Sequence, residues 1–262
     1  MRFTKMEGLG NDYLYHFGEI ENPAEVSVKL SDRHFGIGSD GIILIDKSDK
    51  ADFKMRIFNA DGSEAKMCGN GIRCVGKFVY DKGCTDKTEI EIETLSGIKY
   101  LKLNVRDGKV ESVRVNMGKA EVSPPVTLSV RSEEITVFPV STGNPHAVTF
   151  VDDAENAPLT TTGAALEKHS YFPGGVNAEF AQIIDKNTIR MRVWERGSGI
   201  TMACGTGSCA TAAAAVKAGL CDFGTDISVV LDGGILTVRV LEDGTVFMTG
   251  PASTVCECEV EI

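Results

Sequence analysis

The chain repeats itself once, and that fact restricts its fold more than any other. Gly10-Asn11 begins a segment that ends at Phe17, and Gly143-Asn144 begins one that ends at Phe150. Met55-Arg56-Ile57-Phe58-Asn59 returns as Met191-Arg192-Val193-Trp194-Glu195, and Cys68-Gly69-Asn70-Gly71 returns as Cys204-Gly205-Thr206-Gly207. The strand-rich segments 89–103 and 226–240 keep nearly the same spacing. One short match would be chance, but several matches in one order at nearly one offset mean two homologous halves. Many tandem copies would signal a solenoid, whereas two copies signal paired domains with pseudo-two-fold symmetry.

Each half reads alike. Short β-rich runs come first, such as 41–45 and 53–58, then the Cys-Gly turn, then one helix: 72–81 in the first half and 207–218 in the second. The second helix is dense in alanine, a strong helix former, and Gly219 suits its C-terminal stop. More strands follow, with hairpin turns expected at Asp107-Gly108 and Asp243-Gly244. The expected fold is α/β (α+β): two pseudo-symmetric strand-rich domains, each wrapped around a central helix and facing the other across a cleft. Gly118, Pro124 and Pro125 mark the divide. The domains are expected at 1–117 and 118–252, with the tail 253–262 packing on the first.

Composition narrows the function. The formal net charge is -10 with a pI near 5.0, and no Lys or Arg run rises above the background, which argues against a nucleic-acid or anionic-membrane partner. The N-terminus lacks the charged-then-apolar layout of a signal peptide, and no apolar stretch approaches the ~20 residues of a membrane span. A cytoplasmic location is expected, and with it eight thiols rather than disulfides. No Cys-x-x-Cys pair is present, so zinc is not expected; Cys256 and Cys258 lie in a strand-like tail.

Two of the cysteines carry chemistry. Cys68 and Cys204 each precede a glycine-containing turn that opens a helix. A helix start offers backbone N–H groups and a positive dipole end, which favour thiolate over thiol and are expected to lower the cysteine pKa below ~8.5. The same N–H groups can cradle a carboxylate. If the halves face each other, a carbon acid held between the two thiols loses a proton to one and gains a proton from the other on the opposite face, which inverts the stereocentre. Preorganised N–H donors stabilise the charge that develops on the carboxylate, each worth ~2.7–4 kcal/mol. Cys74, Cys84, Cys209, Cys221, Cys256 and Cys258 are read as small buried apolar residues.

At these residues the chain resembles the diaminopimelate epimerases, end to end. The resemblance is carried by 5–12 (KMEGLGND), 58–71 (FNADGSEAKMCGNG), 143–148 (GNPHAV), 177–180 (NAEF), 194–197 (WERG) and 203–207 (ACGTG). It implies pyridoxal-independent interconversion of LL- and meso-diaminopimelate, a step toward lysine and peptidoglycan precursors, without cofactor or metal and with a homodimer possible. By matching motif, Cys68 and Cys204 are the acid/base pair, with His146 and Glu195 as supporting groups beside the thiols. Asn11, Asn59, Asn144, Asn177, Glu195 and Arg196 hold the substrate, while Gly69, Asn70, Gly205 and Thr206 offer donors to the reacting carboxylate. These types suit a substrate with two ammonium and two carboxylate groups. Asn11, Asn59 and Asn144 also fit plain turn chemistry. The chain departs from the family pattern at Tyr13, at Gly41 (where some relatives carry a substrate-contacting glutamine), at Gly174-Gly175 and at Ile200.

Three rivals compete with this reading, one of them a non-catalytic amino-acid binding protein, which would not need a thiol in both halves. A proline or hydroxyproline racemase shares the two-cysteine scheme, but generally has histidine where this chain has Asn70 and lacks the Trp-Glu-Arg string. A thiol redox protein leaves the two matched anion cradles without a purpose.

Overall fold

The structure is a computed structural model that describes Met1–Glu261. Two compact units divide the chain: Met1–Val115 together with the tail from Gly250, and Asn116–Thr249. Ile262, the end of the tail, lies outside the described residues.

The first unit runs β1 (Arg2–Gly8), β2 (Asn11–Phe17), α1 (Pro23–Ser31), β3 (Gly41–Lys47), β4 (Phe53–Asn59), β5 (Glu64–Ala65), α2 (Gly69–Asp81), β6 (Glu89–Thr94) and β7 (Gly97–Arg106), and β8 (Lys109–Lys119) leads out of it. Strand order is β1-β2-β3-β4-β6-β7-β8; β2 with β3 and β4 with β6 are parallel, the other pairs antiparallel. Each parallel step needs a crossover connection. The first carries α1, started by Pro23 at its first turn, and the second carries α2. The sheet curls around α2, whose Ile72, Cys74, Val75 and Val79 are fully buried. Gly76 lets the helix approach the sheet, since a side chain there would begin 2.9 Å from Leu103 and 3.1 Å from Leu101.

The second unit repeats this plan. It runs β9 (Glu121–Val122), β10 (Val126–Val130), β11 (Glu133–Ser141), β12 (Pro145–Phe150), a π-helical turn (Leu159–Gly163) leading into α3 (Ala164–Glu167), β13 (Asn177–Asp185), β14 (Thr188–Glu195), β15 (Gly199–Ile200), α4 (Gly205–Lys217), β16 (Asp226–Leu231), β17 (Gly234–Val240) and β18 (Thr245–Pro251). Its order β11-β12-β13-β14-β16-β17-β18 mirrors the first, with β12–β13 and β14–β16 parallel. The registers match as well. Leu14 faces Ile42 as Ala147 faces Ala178, and Ile43 faces Ile57 as Glu179 faces Val193. α4 is buried along almost its whole length, and its alanines let a closely wrapped sheet enclose it. The last strand, β19 (Ser253–Glu259), pairs antiparallel with β1 in the first unit.

The mixed, strand-rich α/β design is the one expected, but each unit holds more helix than one. The crossover pieces α1 and α3 are short and start without a side-chain cap bond; Asn22-Pro23 with Glu25 in the first turn is a start signal for α1 that too short an apolar run follows, and α3 has none. Both main helices begin earlier than their apolar runs, because the Gly-Asn-Gly and Gly-Thr-Gly strings form their first turns. The thiols are not uniformly core residues either. Cys74, Cys209 and Cys221 are buried, but Cys84 and Cys256 are exposed and Cys258 is half-buried: Cys84 follows the end of α2, and β19, which carries the other two, is exposed along most of its length. No helix among the described residues is long and apolar enough to cross a membrane.

Candidate active site

Cys68 and Cys204 are the N-cap residues of α2 and α4. Both have extended backbones (φ -138°, ψ 116° and φ -118°, ψ 110°), and both sulfurs accept a hydrogen bond from the backbone N–H three residues on, Gly71 and Gly207, at 3.3 Å. A cysteine thus stands where serine, threonine or aspartate normally caps a helix. The sulfur meets the first-turn amides, and the amides of Gly69 and Asn70, and of Gly205 and Thr206, lead each helix.

In the first unit, Asn11 opens β2 after the turn Leu9-Gly10, both in the left-handed region (φ 60° and 85°). Its side chain serves the thiol, not the turn: Asn11 Oδ1 accepts from Cys68 Sγ at 3.3 Å, and Asn11 Nδ2 donates to Asp40 Oδ2 at 2.7 Å. Asp40 also accepts from the Asp12 amide and from Arg33, so it fixes which end of the Asn11 amide meets the sulfur. Asn59, at the end of β4, accepts from Tyr13 Oη at 3.4 Å and donates to Ser63 Oγ at 3.1 Å. Asn70 is buried on α2, where the fully buried Arg73 donates to its Oδ1 and to Gly69 O, both at 3.0 Å, and to Pro251 O at 3.0 Å. Asp40 lies in the segment 33–41 (RHFGIGSDG), which resembles the family as a structural turn, and Arg73 carries no motif signal; only their position beside Asn11 and Asn70 gives them a role.

In the second unit, Cys204 is 4% exposed. Thr206 Oγ1 lies 3.6 Å from its sulfur and accepts from Asn144 Nδ2 at 3.4 Å. Asn144 Oδ1 faces His146 Nε2 at 3.2 Å, and His146 Nδ1 faces Glu179 Oε1 at 2.6 Å with both side chains fully buried. Glu195 accepts from Thr201 Oγ1 at 2.5 Å. Asn177, at the head of β13, accepts from the Arg196 amide at 2.8 Å, and exposed Arg196 donates through Nη1 to Gly174 O at 2.9 Å.

The expectation of a lowered thiol pKa fails at Cys204. Burial pushes this thiol well above its ordinary value, and the carboxylates of Glu195 and Glu179 push further, against the opposing Thr206 hydroxyl and Gly207 N–H. Desolvation and like charge outweigh the hydrogen bonds that the sulfur receives. Cys74, buried on α2, is likewise pushed up to about 12 by desolvation, as befits a packing residue.

The departures have local causes. A side chain on Gly41 (φ 153°) would begin 2.1 Å from Phe58 O, so this backbone admits none. One on Gly175 (φ 75°) would begin 2.8 Å from Arg196 Cδ, so Gly175 makes room for the arginine stem. Ile200 is exposed and pairs with Trp194.

Residues 3–123 and 138–255 match the family model described as diaminopimelate epimerase. The chain belongs to the diaminopimelate epimerase family. It is 54% identical to the diaminopimelate epimerase of Methanococcus maripaludis over the full length of both chains. It is 54% identical to that of Bacteroides thetaiotaomicron, covering all of this chain and 98% of the relative. Among solved structures, a phenazine biosynthesis protein of the PhzF family from Bacillus anthracis superposes with a TM-score of 0.80 at 18% identity, covering 100% and 99% of the two chains. A hydroxyproline epimerase from Agrobacterium vitis does so with a TM-score of 0.74 at 18%, covering 99% and 90%. These two share its fold. Family membership makes the chain an isomerase of the epimerase class.

Proposed function

We propose that this chain interconverts LL- and meso-diaminopimelate without pyridoxal phosphate, using Cys68 and Cys204 as the two acid/base groups. The observation that carries the reading is the repeated construction: one thiol in each unit, capping an equivalent helix start whose leading amides suit a carboxylate. One sulfur takes the Cα proton and the other returns a proton to the opposite face. The leading amides at Gly69, Asn70, Gly205 and Thr206 stabilise the charge that develops on the reacting carboxylate. Asn11, Asn59, Asn144, Asn177, Glu195 and Arg196 hold the polar groups, with Arg196 on the distal carboxylate. We place the enzyme in the cytoplasm, with no cofactor, metal, nucleic-acid or membrane partner, and as a homodimer, which light scattering on the purified chain checks.

The test is isotopic. A thiol exchanges its proton with solvent before turnover, so in heavy water the inverted product carries deuterium at the reacting carbon while recovered substrate carries little at early times. A product that retains the original hydrogen rejects the two-base reading. The same exchange assay on proline and hydroxyproline is expected to show no reaction.

A further inference from the structure

The two halves place different groups at equivalent positions behind the thiols. The matched registers align Ile43 with Glu179, both on the strand that follows the first parallel step. They contact the helix start in the same way. A side chain on Gly71 would begin 2.7 Å from Ile43 Cδ1, and one on Gly207 would begin 2.7 Å from Glu179 Oε1. An apolar side chain in one half is thus a fully buried carboxylate in the other.

That carboxylate stands against the reacting sulfur. The point where a Gly207 side chain would begin lies 3.1 Å from Cys204 Sγ as well as 2.7 Å from Glu179 Oε1, so one small space separates the two. The carboxylate is therefore within the ~4–6 Å over which a like charge opposes ionisation. Burying a carboxylate is costly unless it is paired. Oε1 meets His146 Nδ1, whereas Oε2 is buried with no hydrogen-bond partner. Packing alone asks for the Ile43 solution, so the exposed energetic cost of Glu179 calls for a function. The ionisable groups that face Cys204 are Glu179 from β13, Glu195 from the end of β14 and, through Glu179, His146 from β12; the first turn of α4 brings no acidic residue.

We infer that Glu179 is a positioning residue that holds Cys204 as a thiol between turnovers, ready to give its proton to the carbanion, an inference that rests on the two-thiol reading above. Glu179 acts through its charge, which disfavours the Cys204 thiolate. Its bond to His146 Nδ1 also turns Nε2 toward Asn144 Oδ1, which points Asn144 Nδ2 at Thr206; the Thr206 hydroxyl hydrogen left for the sulfur works the other way, toward the thiolate, and the carboxylate charge acts against it. Once Cys204 has been deprotonated, the same destabilisation makes its thiolate a stronger base for the reverse reaction.

The experiment follows Cys204 alkylation by iodoacetamide against pH, read by peptide mapping, in the wild-type chain, Glu179→Gln and Glu179→Asp. In the wild type the half-reaction pH lies above the ~8.5 of an ordinary cysteine. In Glu179→Gln it falls by at least one pH unit, and the alkaline limb of the epimerisation profile falls with it; in Glu179→Asp it stays near the wild-type value. A wild-type midpoint at or below ~8.5, or a Glu179→Gln midpoint that does not fall in a chain with native circular dichroism, overturns the inference. If Glu179→Gln does not fold, Glu179→Ile, which installs the side chain found at the equivalent Ile43, decides it by the same criterion: a midpoint below the wild-type value supports the inference and an unchanged one overturns it. Alkylation needs no substrate, so it is independent of whether the chain epimerises diaminopimelate, which the heavy-water experiment tests separately.

Discussion

The start of α2 and the start of α4 are the same piece of architecture with different chemistry built around it. Where the second unit has His146, Glu179 and Glu195, the first has Tyr13, Ile43 and Asn59. The exchange also reaches inside the helices: Arg73 of α2 stands where α4 has Cys209, and Gly76 where α4 has Ala212. Duplication supplied two identical cradles for a thiol, and divergence then set the surroundings of each sulfur separately. A symmetric pair could exchange roles freely. An asymmetric pair has a resting proton inventory.

The largest effect expected from breaking the comparison is chemical. Cys68→Ala and Cys204→Ala each remove one obligatory acid/base group, and each is expected to lower kcat for epimerisation by about 10²–10⁴-fold, measured by chiral chromatography of the product. A single-thiol variant of near-normal rate would end the two-base scheme for both halves at once. Next comes Arg73→Leu. It strips donors from two buried acceptors, Gly69 O and Asn70 Oδ1, each costing about 1–3 kcal/mol when left unpaired, and from the more accessible Pro251 O. The expected loss in urea-unfolding stability is a few kcal/mol, while Cys209→Ala in α4, which removes no hydrogen-bonding side chain of that size, costs clearly less. Arg196→Met follows, since Arg196 has no counterpart in the first unit, where Ala60 aligns. Loss of a charged hydrogen-bond partner of about 1.5–3 kcal/mol corresponds to roughly a 10–100-fold fall in kcat/KM for diaminopimelate, with no gain of general racemase activity. Normal kinetics would assign Arg196 to the surface, where its exposure already places part of it. The smallest effect is Ala212→Gly, which makes α4 resemble α2 at that position and is expected to cost about 1 kcal/mol by helix propensity, read from the thermal midpoint.

Periodicity and repetition made the scaffold legible before any coordinates. A string such as Cys-Gly-x-Gly found twice in one order predicts two equivalent helix starts, and the structure has them at Cys68 and Cys204. The helix boundaries were less legible, because glycines that lead a helix look like turn residues until their capping sulfur is seen. Asn11 and Asn144 carried an ambiguous signal between turn chemistry and function, and only side-chain direction resolves it. Glu179 was hidden in another way. It lies in an otherwise largely apolar run, Asn177-Ala-Glu-Phe-Ala-Gln-Ile-Ile, where a lone acid on a buried strand is the available clue. The Cys204 thiol is pushed up instead of down by burial first and then by the Glu195 and Glu179 carboxylates, and both depend on distances that no spacing encodes. The missed α1 belongs to the same class of error: with Asn22 in a left-handed conformation and no capping bond, tertiary packing of Val26 and Leu30 defines it.

The pairing of β19 with β1 sets an order of events during synthesis. The first unit is discontinuous, with its first strand waiting for a partner that begins at Ser253, and the Met1 amino group bonds to Val260 O. The second unit is one unbroken stretch, Asn116–Thr249. Chains leave the ribosome at about 5–20 residues per second, usually folding N-terminal domains first. Here the rule inverts for completion: the half that emerges first is finished after the second, and β1 keeps one open edge until β19 is released.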